Sequence, residues 1–175
     1  MKNGIYTRNL GNKLYEKYFD TSYVVYYDPH RKKRNDEPNA FQPTPFFDEC
    51  NEATTLSHTD IVIINKEKKL VELVVEIEES GAVPKKIIGD IGNIMLSDQI
   101  RINGEDYHYG NVIFIFGAII NAQGKSKEKI ERICKKLIEI NEKVGKKNLQ
   151  IKTVIDSDFD GLIKKIEQEI STAID

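Results

Sequence analysis

The sequence predicts an α/β protein: a mixed β-sheet flanked by helices, with the element order αβββαβ followed by a C-terminal αβα extension. Three observations carry this. The segment LVELVVEIEES (70–80) alternates with the period of a strand, placing Val71, Leu73, Val75 and Ile77 on one face and Glu72, Val74, Glu76 and Glu78 on the other. The run VIFIFGAII (112–120) is apolar throughout, as in a central strand covered on both faces. In the second half, strands alternate with segments of helical period, which implies right-handed crossovers and parallel pairing.

Taken in order, residues 8–19 carry Leu10, Leu14, Tyr15 and Tyr18 at helical spacing, and SYVVYY (22–27) is rich in strand formers. Residues 28–45 hold four of the five prolines and a basic run, which predicts a long loop of the kind that often carries function. TDIVIIN (59–65) is a strand, and the polar KEKK that follows turns the chain antiparallel into the strand at 70–78. Residues 83–100 place Ile87, Ile91, Ile94 and either Met95 or Leu96 on one helical stripe, with Pro84 suited to the first turn. A strand follows at 111–120. Residues 126–145 form an amphipathic helix with Ile130, Ile133, Cys134, Leu137 and either Ile140 or Asn141 on its apolar stripe, Ser126 as N-cap and Gly145 just past the end. LQIKTVID (149–156) is a strand, and 158–170 a helix capped by Asp158.

The chain of 175 residues reads as one domain, long enough to bury a core. Its 39% hydrophobic and 31% charged content fits a globular protein rather than a disordered one. The longest apolar stretch is too short to span a membrane, and no apolar signal segment opens the chain, so a cytoplasmic protein without membrane partners is expected. Cys50 and Cys134 have no metal-ligand spacing and make a poor disulfide framework; both are expected as free thiols. A net charge of −2 gives no global argument for a nucleic-acid partner, which leaves local patches to supply one.

The acidic residues are the most informative feature. If the strands at 59–65 and 70–78 form a hairpin, Asp60 at the start of the first lies beside Glu76 near the end of the second. Side chains two apart on a strand share a face, so Glu78 joins them. Three converging carboxylates repel unless a cation sits among them. Hard oxygen donors in small number suit Mg²⁺, which keeps waters and completes its shell from substrate phosphate. Glu72 shares the strand face but lies about 13 Å from Glu76 and is left out. A solvated strand face is the alternative reading of the same glutamates.

An acidic residue on one strand and an acidic pair split by one residue on the next, inside an αβββαβ core, resembles the PD-(D/E)XK nuclease superfamily, to which the type II restriction endonucleases belong. The resemblance covers about residues 8–120. It implies a Mg²⁺-dependent hydrolase (with Mn²⁺ able to substitute) that cleaves the phosphodiester bonds of double-stranded DNA, and a homodimer, because two strands need two cuts. Asp60 (within TDIVI) and Glu76 (within VEIE) match its metal ligands. Thr59 stands where the pattern has proline. Glu78 stands where most members carry lysine, as in the Glu-x-Glu of some restriction enzymes, and would complete the coordination or orient the attacking water. Many members place a glutamate on the first helix; Glu16 is the matching candidate. The metal would polarise the phosphate, activate water and stabilise the leaving oxygen.

Two further groups complete the candidate set. Lys85 and Lys86 occupy the first turn of the helix beginning near Pro84, where the macrodipole opposes cations. Their placement suggests an anion site beside the acidic cluster, with one lysine replacing that missing at position 78. The run His30, Arg31, Lys32, Lys33 and Arg34 offers phosphate contacts in a nuclease, and a solvated loop otherwise. His58 is read as a polar neighbour of the site. A structure-specific repair or recombination nuclease, and an inactive nuclease-fold DNA-binding protein, are the alternatives to a restriction enzyme.

Overall fold

The computed structural model describes residues 4–30, 37–120 and 125–174, without the side chains of 125 and 126. The elements are helix α1 (Ile5–Tyr18), strands β1 (Tyr23–Tyr27), β2 (Thr44–Phe46), β3 (Ile61–Asn65) and β4 (Leu70–Glu78), helix α2 (Pro84–Leu96), strands β5 (Gln99–Ile102) and β6 (Glu105–Ile119), helix α3 (Lys125–Val144), strand β7 (Leu149–Asp156) and helix α4 (Phe159–Ile174). A 3₁₀ turn spans Glu52–Thr54. The expected mixed sheet flanked by helices is present, with β2 and β5 in addition.

The sheet runs in the order β1-β3-β4-β6-β5-β2. Strands β1, β3 and β4 form an antiparallel meander; β4 and β6 pair parallel, and so do β6 and β7. Strand β5 pairs antiparallel with the first residues of β6, on the edge that β7 occupies further along, and β2 extends β5. Helices α2 and α3 cover one face, where Val74, Ile87, Ile91, Phe114, Ile130 and Cys134 interlock. Helices α1 and α4 cover the other, around Leu10, Leu73, Val75, Ile115 and Ile166.

Local chemistry accounts for the boundaries. The stripe Ile87, Ile91 and Ile94 of α2 is buried. Each of these side chains contributes about 1.5–3 kcal/mol on burial, more than the roughly 0.3–1 kcal/mol by which each first-turn lysine opposes the macrodipole. Met95 packs against the core while Leu96 is exposed. Helix α2 stops at Leu96, four residues short of the expected end, because Gln99–Ile102 extends into a hairpin through Asn103 and Gly104, both at positive φ. Strand β6 accordingly starts at Glu105 rather than at 111. On α3 it is Asn141, not Ile140, that is buried; its amide donates to the Leu149 carbonyl at 2.8 Å and ties α3 to β7. The Ser126 cap falls outside the described side chains.

One expectation about β4 is corrected. The pairing of β3 with β4 slips between Ile63↔Leu73 and Ile64↔Val71, leaving Glu72 as the extra residue of a bulge. Val71 therefore packs on the α2 face, opposite Leu73, Val75 and Ile77. The alternation beyond the bulge is regular, and that is the stretch carrying Glu76 and Glu78.

Candidate functional site

Asp60 is the residue before β3, and the register Ile61↔Val75 brings it opposite Glu76. The expected approach is realised: the Asp60 backbone N–H donates to Glu76 Oε2 at 3.2 Å, and Thr59 Oγ1 donates to the same oxygen at 3.0 Å. Asp60 is buried, and its Oδ2 accepts from the Ile77 N–H at 2.7 Å. Its Oδ1 lies 2.7 Å from His30 Nε2. Two residues further along β4, Glu78 is buried and accepts at Oε1 from the Ser80 N–H and hydroxyl, at 2.8 and 2.6 Å. Its Oε2 is ion-paired with Lys86 Nζ at 2.8 Å, and Lys86 also donates to Ser80 Oγ at 2.7 Å. Asp60, Glu76, Glu78, His30 and Lys86 line a cleft of about 180 Å³ at the C-terminal end of β4, with Gly4, Ile77, Glu79 and Ser80.

Of the two first-turn lysines only Lys86 reaches the cleft; Lys85 is exposed and absent from its lining. Glu16 is also exposed and absent from the lining. It lies three turns beyond the α1 N-terminus that adjoins the cleft, about 16 Å along the axis, so the structure does not bring it to Asp60 and Glu76. His58 is exposed and bonds Thr44 Oγ1 at 3.1 Å, away from the lining residues. Arg31, Lys32, Lys33 and Arg34 lie outside the described residues. His30, at the start of that run, is a cleft residue held on two sides: its N–H donates to Asp28 Oδ1 at 2.8 Å, and its ring packs against Gly4 where any side chain would clash.

Two residues escaped the sequence reading. Glu79 follows the acidic pair and turns its carboxylate to the start of α1. It accepts from the N–H groups of Gly4, Ile5, Tyr6 and Thr7 at 2.9–3.2 Å and from Thr7 Oγ1 at 3.2 Å. It thus caps a helix whose own N-cap, Gly4, has no side chain to do so. Asp90, one turn after Lys86 on α2, is partly buried and acts electrostatically on Glu76. An i, i+4 spacing from a cleft lysine is the only sequence signal for it, and any helix surface can show that.

The electrostatics follow from burial. The Asp60 carboxyl is pushed above its ordinary pKa by desolvation, against hydrogen bonds from His30 and Ile77. Glu76 is pushed well above its ordinary value, first by desolvation and then by the charges of Asp60 and Asp90. Asp90 is raised to about 6 by desolvation and by Glu78 and Asp60. His30 is raised by its hydrogen bond to Asp60, against burial. Negative charge is thus held in the cleft at a cost that a cation would relieve. No group of three or more His, Cys, Asp or Glu side chains is arranged to hold a metal among the described residues. Asp60 and Glu76 are neighbouring hard-oxygen donors, and one or two carboxylates suffice for Mg²⁺ when water and phosphate supply the rest. Asp60, whose Oδ1 now faces His30, and Glu76 would be the donors offered to such an ion.

No protein-family profile, curated protein or solved structure gives a significant match to this chain. Among the described residues no helix is long and apolar enough to cross a membrane.

Proposed function

We propose that this protein is a metal-dependent endodeoxyribonuclease of the PD-(D/E)XK kind, hydrolysing phosphodiester bonds of double-stranded DNA as a type II restriction enzyme does. The observation that carries the reading is the meeting of Asp60, Glu76 and Glu78 at the ends of β3 and β4 with Lys86, which enters the same cleft from α2. The meander β1-β3-β4, the following helix and the parallel β6 support it as the order in which such a core would run. Asp60 and Glu76 would hold a Mg²⁺ ion, which when bound supplies Lewis-acid activation of the phosphate. Glu78 orients the attacking water, and Lys86 places positive charge beside the phosphate. A homodimer, one site per strand, is part of the proposal.

A second reading rests on a specific observation. Both oxygens of Asp60 and both of Glu78 already have protein partners, as they would in a nuclease-fold DNA-binding protein that has lost activity. Phage DNA incubated with the purified protein separates the readings. Discrete Mg²⁺-dependent bands that disappear in Asp60→Asn and Glu76→Gln establish sequence-specific cleavage by this site. Cutting confined to branched junctions assigns a repair nuclease. No cutting of any substrate in Mg²⁺ or Mn²⁺ overturns the nuclease and leaves the binding protein.

A further inference from the structure

Helix α3 carries charge far out of proportion to the chain. Residues 125–144 hold seven Lys or Arg against four Glu, a net of +3, and Lys146 and Lys147 follow directly, in a protein whose total is −2. The charges are also sorted around the helix. At 3.6 residues per turn, Lys129, Arg132, Lys136 and Lys143 fall within about 60° of arc, and no glutamate shares that arc. The four glutamates lie on the adjoining flank, and the buried stripe of Ile130, Cys134 and Asn141 lies opposite. Lys129, Arg132 and Lys143 are exposed without an ion-pair partner among the described residues; Lys136 pairs with Glu139 at 3.3 Å. The first part of the stripe borders a shallow groove of about 490 Å³ lined by Glu128, Lys129, Arg132, Ile133 and Lys136.

Helix stability explains Lys143, in the last turn, but not the rest of the stripe. Cations near a helix N-terminus oppose the macrodipole, and Lys129 sits within the second turn. The topology gives the stripe a direction. Strands β4 and β6 run parallel, so α2, which follows β4, and α3, which follows β6, begin at the same edge of the sheet. That edge is where Glu78 and Lys86 line the cleft, and α2 and α3 pack side by side on one sheet face.

We infer that the basic stripe of α3 is a docking surface for the phosphate backbone of duplex DNA, running along the helix from the end of the sheet at which β4 and β6 both finish. From Lys129 to Lys143 it spans about 21 Å, the axial length of about six phosphates of one strand. The complementarity is one of charge alone, so the contact is independent of base sequence. As to the substrate it serves, the inference rests on the nuclease reading; as a binding surface it stands by itself.

The test is fluorescence anisotropy of a labelled duplex in EDTA, with the full chain, over a KCl series. Wild type binds with a steep salt dependence. The triple variant Lys129→Ala, Arg132→Ala, Lys136→Ala loses about tenfold or more in affinity, and its log–log salt slope shrinks by about 2.7, or 0.9 per phosphate contact. Lys129→Arg with Lys136→Arg keeps both, and circular dichroism shows the same helix content in all. An unchanged affinity and slope in the triple variant overturns the inference. So does a wild type that ignores the duplex, including one that binds phosphatidylglycerol vesicles through this stripe instead. DNA cleavage is scored separately: a salt-slope change without cleavage supports the surface and removes only the nuclease, and cleavage without a slope change removes only the surface.

Discussion

Replacing Glu79 by alanine should uncouple the start of α1 from the end of β4. The Glu79 carboxylate accepts four backbone N–H groups and one hydroxyl at α1, whose N-cap glycine offers no side-chain acceptor. Loss of an N-cap acceptor costs about 1 kcal/mol. Loss of a negative charge at a partly buried helix N-terminus costs about 1–2 kcal/mol more. The sum of about 2–3 kcal/mol is a lower bound: water can replace the carboxylate at the exposed Ile5, whereas Thr7 is fully buried and its N–H and hydroxyl lose their acceptor. For a chain of this size that corresponds to a fall in Tm of about 4–12 °C. Glu79→Gln keeps an acceptor and loses the charge, so it should fall about midway. Urea denaturation of the three proteins, read by circular dichroism, measures the effect. Glu79→Ala within about 0.5 kcal/mol of wild type, the scatter of ordinary surface substitutions, would refute the capping argument.

Two more predictions concern the cleft itself. Because Lys86 contacts Glu78 and Ser80 while Lys85 is exposed away from the cleft, Lys86→Ala should slow single-turnover cleavage by about tenfold or more, some 1.4 kcal/mol of barrier. Lys85→Ala should stay within about threefold; equal effects from both would return the lysine role to the helix end as a whole. Asp90, raised to about 6, stabilises the fold below the ordinary carboxylate pKa, where it is protonated folded and unfolded alike. That contribution is lost as the pH rises from about 4 through 6, because the unfolded chain releases the proton first. Asp90→Asn should therefore be less destabilised than wild type by this rise in pH in metal-free buffer, and parallel urea-midpoint curves for the two proteins would sink the assignment.

How much of this was legible in the sequence depends on the range of the interaction that decides it. Period-two and period-3.6 patterns are local, so every element from α1 to α4 that they predict is present, and the Asp60–Glu76 approach followed from one short turn, KEKK, between two strands. The hairpin of β5 and β6 was readable too. The Asn103-Gly104 dipeptide marks it, and Ile100 falls about 140° from the stripe of Ile87, Ile91 and Ile94, so the helix expected to run to residue 100 overreaches a signal the sequence itself carries. The bulge at Glu72 was not readable, because nothing in LVELVVEIEES distinguishes a regular strand from one that slips a residue to keep both neighbours paired. Tertiary structure alone separated Lys86 from Lys85, placed Glu16 on the outer surface, and made Glu79, the residue after the acidic pair, a helix cap. In each case the residue types were equivalent and the local pattern degenerate. The choice was made by what packs opposite: the end of β4 for Lys86, solvent for Glu16, and for Glu79 a helix N-terminus more than seventy residues earlier in the chain.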